Sequence, residues 1–180
     1  ALSGVGSTSD NDVKVDITSG ITATEANKSI LADSVTVTAK DSSTIISNVV
    51  GASIAGSYSP SSSAGALSIG VSLADNDVHT NTLATIDNVD IGSQTRKLDS
   101  VTLLADSNAK ITATSVAASF ALSYSTSGSI SVSGAGANAI NTIKGSTSAS
   151  IIDSELWSSG DVSVTSTNTS KVDAKVAAVS

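Results

Sequence analysis

The only histidine in the chain, His79, lies in ADNDVHTNT with Asp75 and Asp77 beside it. An imidazole next to carboxylates, in a chain crowded with serines, offers the groups of nucleophilic catalysis, in which an acid orients a base and the base takes a hydroxyl proton. That chemistry also needs a pocket, and the site's own repetition argues against one. The matching segment near the start, STSDNDVKV, carries Lys14 at the equivalent place, and the third copy is aligned on Asn141. A site duplicated without its base is not retained for catalysis. His79 is therefore expected to be structural or superficial, no catalytic residue is assigned, and the chain is read as not an enzyme.

Asp10 to Asp12 and Asp75 to Asp77 both spell Asp-Asn-Asp. Carboxylate and amide oxygens suit Ca²⁺, which takes six to eight of them, but the spacing matches neither an EF-hand loop nor the Gly-rich nonapeptide of calcium-binding repeats. The third copy, GANAI, has no carboxylate. Turn formation by Asn and Asp is the plainer account, and no metal or cofactor site is expected. The glycines of GVGSTSDN and GAGANAIN lack the following helix and Lys-Ser/Thr of a phosphate loop. NKS at Asn27 and NTS at Asn168 match the glycosylation triplet, a frequent coincidence in Asn- and Ser-rich sequence. Trp157, alone in ELWSSG, is read as packing at the edge of a repeat. The single Arg96 leaves a polysaccharide-cleaving groove without its clustered acids, Arg and aromatics.

Composition narrows the class further. The 180 residues carry a net charge of −7, and the pI is near 4.3. No basic patch exists to displace counterions from phosphates, which excludes a nucleic-acid partner. Without Cys there is no disulfide framework or thiolate metal site. No charged-then-apolar leader and no run of eighteen apolar residues occurs, so neither a signal peptide nor a membrane span is expected. The chain reads as a piece of something longer. It is 39% hydrophobic but has one Trp, two Tyr, one Phe and no Met, so its interior must be assembled from thin aliphatic side chains.

Those residues sit in a repeat. SVTVTAKDSSTIISNVVGASIAGSYS and SVTLLADSNAKITATSVAASFALSYS lie 66 positions apart (Val35 to Val101), and the two Asp-Asn-Asp-Val segments 65 apart (Asp10 to Asp75). A third, partial copy follows, with Val162 standing 61 after Val101. TSASIIDSEL from Thr147 echoes TLATIDNVDI from Thr82. Residues 1–180 are accordingly one continuous array of about two and three-quarter repeats. Length differences fall in Gly-, Ser- and Pro-rich stretches: DIGSQTRKLDSVTL exceeds ELWSSGDVSV, and SYSPSSSAGALSIG exceeds SYSTSGSISVS. That is how strands joined by surface loops behave.

Apolar residues alternate at Val13, Val15, Ile17; Val35, Val37; Leu67, Ile69, Val71, Leu73; Val101, Leu103; Ile130, Val132; Val162, Val164; and Val172, Ala174, Val176. Period two predicts strands with these residues on a buried face and the intervening Ser, Thr, Lys and Asp outside. ATSVAASFALS is rich in Ala, but it lacks a cap and a sustained helical period, and strand is favoured there too. Ten to fourteen strands are expected. Tandem immunoglobulin-like sandwiches need about 100 residues each and interior aromatics, and a propeller blade is shorter with its own signatures. The arrangement left is an all-β parallel β-solenoid (β-helix) of imperfect repeats of about 65 residues, each stacked on the last. Small residues in SVSGAGANAI, from Ser131, would mark a tightly packed or bent strand.

GDVSVTSTNTSKVDAKVAAVS, together with the small-residue run ending in GAGANAINT, resembles the β-strand repeats of giant bacterial surface proteins, the leukotoxin-like filamentous adhesins and haemagglutinin-type exoproteins. The resemblance covers essentially the whole chain and is clearest from Ser129 to Ser180, while Pro60 and the paucity of glycine after SYS depart from it. It implies a non-enzymatic stalk or fibre segment of a large exported protein at the cell surface. Its partners would be neighbouring repeats or like subunits in a filament, and a host or matrix surface. An alternative is a ligand-binding solenoid module, an adhesin face or an ice-binding Thr ladder, motivated by ITATEA, VTVTAK and ITATSV; it requires Thr-x-Thr pairs in register on successive rungs.

Overall fold

A computed structural model describes residues 1–25 and 28–180. The described residues form eleven strands and no helix: β1 (Leu2–Thr22), β2 (Ser29–Ile30), β3 (Ser34–Asp41), β4 (Thr44–Ser59), β5 (Ala64–Asp87), β6 (Asp90–Ile91), β7 (Ser100–Ser107), β8 (Lys110–Ser125), β9 (Ser129–Ile152), β10 (Val162–Asn168) and β11 (Lys171–Val179). Three successive passes of the chain, β1 to β4, β5 to β8 and β9 to β11, contribute one strand each to three sheets, ordered β1-β5-β9, β10-β7-β3 and β11-β8-β4. All pairings are parallel. Register sets Asp10 against Asp75, Val35 against Val101 and Val162 against Val101, the pairs already matched in the sequence. The Ala-rich stretch is strand β8, where parallel neighbours on both sides take up its backbone groups.

The long strand β5 runs one way, and β7 followed by β8 runs back across it. Val78 packs with Ala109 and Ile111 between them. Ala84 and Ile86 pack with Val101 and Leu103 farther on. Twenty-four residues of β5 extend over roughly 80 Å at the usual strand rise, so each pass is a long, flat loop of chain. Two kinds of bend shape it. The break between β3 and β4 is held by Asp41, a buried carboxylate whose Oδ1 accepts from the Ser43 N–H at 3.0 Å and the Ser43 hydroxyl at 2.5 Å. Its Oδ2 accepts from Ser107 at 3.2 Å. Asn168 repeats the device between β10 and β11, accepting from the Ser170 N–H at 3.0 Å; in the first and third passes a short polar side chain turning on its own backbone interrupts the strand at the same place. At the far corner Asn88 (φ 55°) and Asp153 (φ 45°) occupy the left-handed region that Asn and Asp tolerate. The Asn88 amide also donates to the Ala23 carbonyl at 2.8 Å.

The corner half of each pass has an ordinary interior. Val35, Val37, Ala84, Ile86, Val89, Ile91, Leu98, Val101, Leu103 and Ala105 are buried together there, and Val13 and Ile17 point inward as their spacing predicts. The opposite half reverses the expected phase. On β5 the buried residues are Ala64, Ala66, Ser68, Gly70, Ser72 and Ala74, whereas Leu67, Ile69 and Leu73 are exposed and Val71 is half-buried. Ile130 and Val132 are exposed as well.

The physical reason for that reversal is thickness. The Ser72 and Ser115 hydroxyls meet across the two layers at 2.6 Å, and those of Ser53 and Ser68 at 2.7 Å. A Cβ on Gly51 would stand 2.5 Å from the Val71 carbonyl oxygen, and one on Gly70 at 2.5 Å from that of Ala118. Sheets ordinarily pack about 10 Å apart; here the gap is filled mostly by Ser, Ala and Gly, with Val49 buried among them, so most of the larger side chains of the alternation face out. The expectation for SVSGAGANAI is corrected in the same terms. Gly134 and Gly136 face outward, with open space where a Cβ would lie, and β9 runs through them unbroken. The close approaches are at Gly51 and Gly70 instead.

Candidate functional site

The Asp-Asn-Asp segments, expected as turns, run instead through the middle of the unbroken strands β1 and β5, and the polar residues singled out for chemistry form a belt on the outer face of β1-β5-β9. From one side to the other it reads Asp10, Asp75 and Ile140; Asp12, Asp77 and Thr142; Lys14, His79 and Lys144; Asp16, Asn81 and Ser146. The third-pass counterpart of His79 is thus Lys144, not Asn141. Asn141 pairs with Asn76 on the inward face, where the Asn11 amide donates to Asn76 and the Asn76 amide donates to Asn141, each at 2.8 Å. A ladder of stacked amides answers its own donors and acceptors from one strand to the next, which explains a buried asparagine in a chain with so little other polar interior.

His79 is exposed, and no hydrogen bond among the described residues involves its imidazole. It borders a shallow recess of about 170 Å³ with Lys14, Val15, Asp16 and Asn81. Around it Lys14 reaches Asp12 at 3.9 Å, the Asn81 amide donates to Asp16 at 2.7 Å, and Ser146 donates to Asn81 at 3.1 Å. An activated nucleophile needs a hydroxyl and an orienting acid bonded to the imidazole, and neither is bonded to it among the described residues. Among the described residues no three His, Asp or Glu side chains converge as a metal-binding group. Stacked Asp10 and Asp75, and Asp12 and Asp77, place like charges directly opposite, which weakens rather than strengthens a sheet.

The other candidates are dispersed. Arg96 lies at the β6–β7 corner and pairs with Asp33 at 3.6 Å. A hollow of about 470 Å³ beside Ile21, Thr22, Lys28 and Ile30 is bordered by the ion pair of Lys28 with Glu25 at 2.9 Å. Trp157 is half-buried at the third-pass corner, its backbone N–H donating to the Ile91 carbonyl and its own carbonyl accepting from the Leu98 N–H, at 2.8 and 2.9 Å. Asn168 is engaged in its turn, and Asn27 lies outside the described residues. On β11 the Lys171 ammonium, 2.9 Å away, holds the Asp173 carboxyl below its ordinary value.

The Thr-x-Thr pairs do not fall into register. Thr36 and Thr102 stack with Ser163, but Thr38 stacks on Leu104, and Thr112 and Thr114 lie between Ile46 and Asn48 on one side and Asp173 and Lys175 on the other. Comparison with family models, curated proteins and solved structures finds no match. The geometry stands by itself.

Its most distinctive surface was missed by reading apolar alternation as burial. Outward on β4 and β8 stand Val50, Ile54, Tyr58, Val116, Phe120, Leu122 and Tyr124, and most are well exposed, Ile54 at 74% and Phe120 at 58%. Tyr58 and Tyr124 stack at 5.8 Å with rings 4° from parallel, beside the tip loops Pro60–Ser63 and Thr126–Gly128. The back of the same half carries Leu2, Leu67, Ile69, Leu73, Ile130 and Val132. One signal in the sequence marks this half: no charged residue occurs between Asp41 and Asp75 or between Lys110 and Lys144, two runs of thirty-three residues.

Proposed function

We propose that the chain is a stretch of parallel β-solenoid serving as a non-enzymatic stalk or fibre segment of an exported cell-surface protein. The single observation that supports this reading is the ladder register. Three passes stack strand on strand, with Asp10, Asp75 and Ile140 in line on one face and Val35, Val101 and Val162 on another. In such a stack each coil buries its face against its neighbours, and the length of the rod is set by the number of coils. Backbone hydrogen bonds between passes run along the axis and distribute tension over whole strands. Open edges on β1 and β4 at one end, and on β9 and β11 at the other, suit rung-on-rung stacking with further coils or like chains.

A Thr-ladder binding face has no such support, given Leu104 in the column of Thr38. Electron microscopy of the purified chain, with fibre diffraction, tests the proposal. Rods with an axial repeat near 4.8 Å, the strand spacing, are expected. Compact particles of fixed size at all concentrations would overturn it.

A further inference from the structure

We infer that the charge-free half of the coil is a blade that inserts into the hydrocarbon of a lipid bilayer. Both broad faces are apolar. On one face Val50 to Tyr58 and Val116 to Tyr124 turn outward Val, Ala, Ile, Phe, Leu, Tyr and one Gly, without a charge. On the other face Leu67, Ile69 and Val71 are flanked by Leu2, Gly4 and Gly6 on one strand and by Val132, Gly134 and Gly136 on the next, and Leu73 stands between Thr8 and Asn138 at the base of the band. The interior between the faces is charge-free too; Ser72 bonds to Ser115 and Ser53 to Ser68, while the buried Ser57 and Ser119 hydroxyls have no partner among the described residues. Small, uncharged residues inside and aliphatic groups outside invert the order of a water-soluble domain, and an apolar exterior is what hydrocarbon demands.

Dimensions support the assignment. From Val116 to Tyr124 and from Gly65 to Leu73 is nine residues each, roughly 30 Å at the usual strand rise, the thickness of a bilayer's hydrocarbon core. The ends of the band are marked. At the tip the stacked Tyr58 and Tyr124 occupy the place where aromatic residues gather at a membrane interface, and Ser-rich loops lie beyond them. At the base the faces turn abruptly ionic, with Asp75, Asp77 and the Lys14, His79 and Lys144 row on one side and Lys110, Asp173 and Lys175 on the other.

A second copy of the chain fits this surface less well. Three strands at their usual spacing over that length give each face only roughly 450 Å², against about 800 Å² per partner in a stable complex. The two faces also look in opposite directions, so no single two-fold contact covers both. Lipid covers both at once. Strand edges in hydrocarbon need partners, so insertion takes the rung-on-rung stacking of the proposed function. The test reads lipid contact, not rod formation, so the two ideas fail separately.

The chain has no Cys, so single cysteines can be placed and labelled with an environment-sensitive dye: Leu122→Cys in the band, Tyr124→Cys at its border and Thr102→Cys on the polar sheet. Vesicles of phosphatidylcholine, with and without nitroxide on the acyl chains, are the probe. The expected result is a blue shift and strong nitroxide quenching at position 122, weaker quenching at 124 and none at 102, with the protein floating with the vesicles. The outward double variant Phe120→Asp with Leu122→Asp should keep its far-ultraviolet β signal and lose vesicle binding more than tenfold. An unshifted dye at 122 in protein that stays at the bottom of the gradient would overturn the inference. So would a dye shift that appears without vesicles and grows with protein concentration, which would assign the faces to contacts between copies.

Discussion

The corner half and the tip half of each pass are built from the same alternating strands, yet they put opposite kinds of residue inside. Around Ile86, Leu98 and Leu103 the layers stand far enough apart for branched aliphatics to fill the gap, and Thr36, Thr102 and Asp106 face out. Around Ser72, Ser115, Gly51 and Gly70 the layers nearly touch, and Leu67, Ile54 and Phe120 face out. Hydrophobic burial holds the first half together at about 1.5–3 kcal/mol for each fully buried aliphatic side chain. The second half relies on close contact, cross-layer hydroxyl pairs and backbone ladders. Inside and outside are therefore set by the distance between layers as much as by the polarity of a residue.

The contrast can be broken at several points, and the largest effect belongs to the aliphatic half. Leu103→Ala should destabilise by about 2–5 kcal/mol, read from urea unfolding; a negligible loss would mean that this core is not what holds the corner. Next comes Gly70→Ala, expected to cost about 1–3 kcal/mol by forcing the layers apart, whereas Gly134→Ala on the open outer face should be neutral or stabilising. Equal behaviour of the two glycines would remove the thickness argument. Asn76→Ala leaves Asn141 without its partner and Asn11 with only its bond to Ser9, and should cost about 1–3 kcal/mol, with loss of hydrogen-exchange protection centred on β1, β5 and β9. Ser72→Ala combined with Ser115→Ala removes both halves of one hydroxyl pair and should fall within about 1 kcal/mol of the parent, with Ser115→Ala alone the worse of the two single changes. Smallest of all, Phe120→Ser in vesicle-free solution should stay within about 0.5 kcal/mol; a large loss would show that the aromatic face is covered within the folded chain.

Much of the architecture was legible in particular residues. The alternation at Val13, Val15 and Ile17 gave both strand and phase correctly, because that stretch lies where the interior is wide. Spacing between matched segments agreed with the pairings of Asp10 with Asp75 and of Val101 with Val162, since side chains that stack on their own copies keep similar sequence. The same alternation misled at Leu67 to Leu73 and at Ile130 and Val132, because period two reports that a strand has two faces and not which of them is inside. The layer gap at Gly51 and Gly70 decides that, and it depends on contacts between residues some twenty to fifty positions apart. Assigning Asn141 to the place of His79 failed for a related reason: GANAI resembles the Asp-Asn-Asp segment through the inward Asn, while the outward column continues into Lys144.

One corner shows how the fold absorbs extra chain. Ile91 pairs with Leu156 and Leu98 with Ser158, so six residues of the second pass stand where the third has only Trp157. The excursion closes on itself, with Ser93 and Arg96 exchanging backbone hydrogen bonds at 2.8 and 3.2 Å, and the ladders resume undisturbed at Val101. A peptide epitope grafted between Ser93 and Lys97 should therefore be displayed at the side of the molecule without shifting its register, which makes this bend a natural address for cargo.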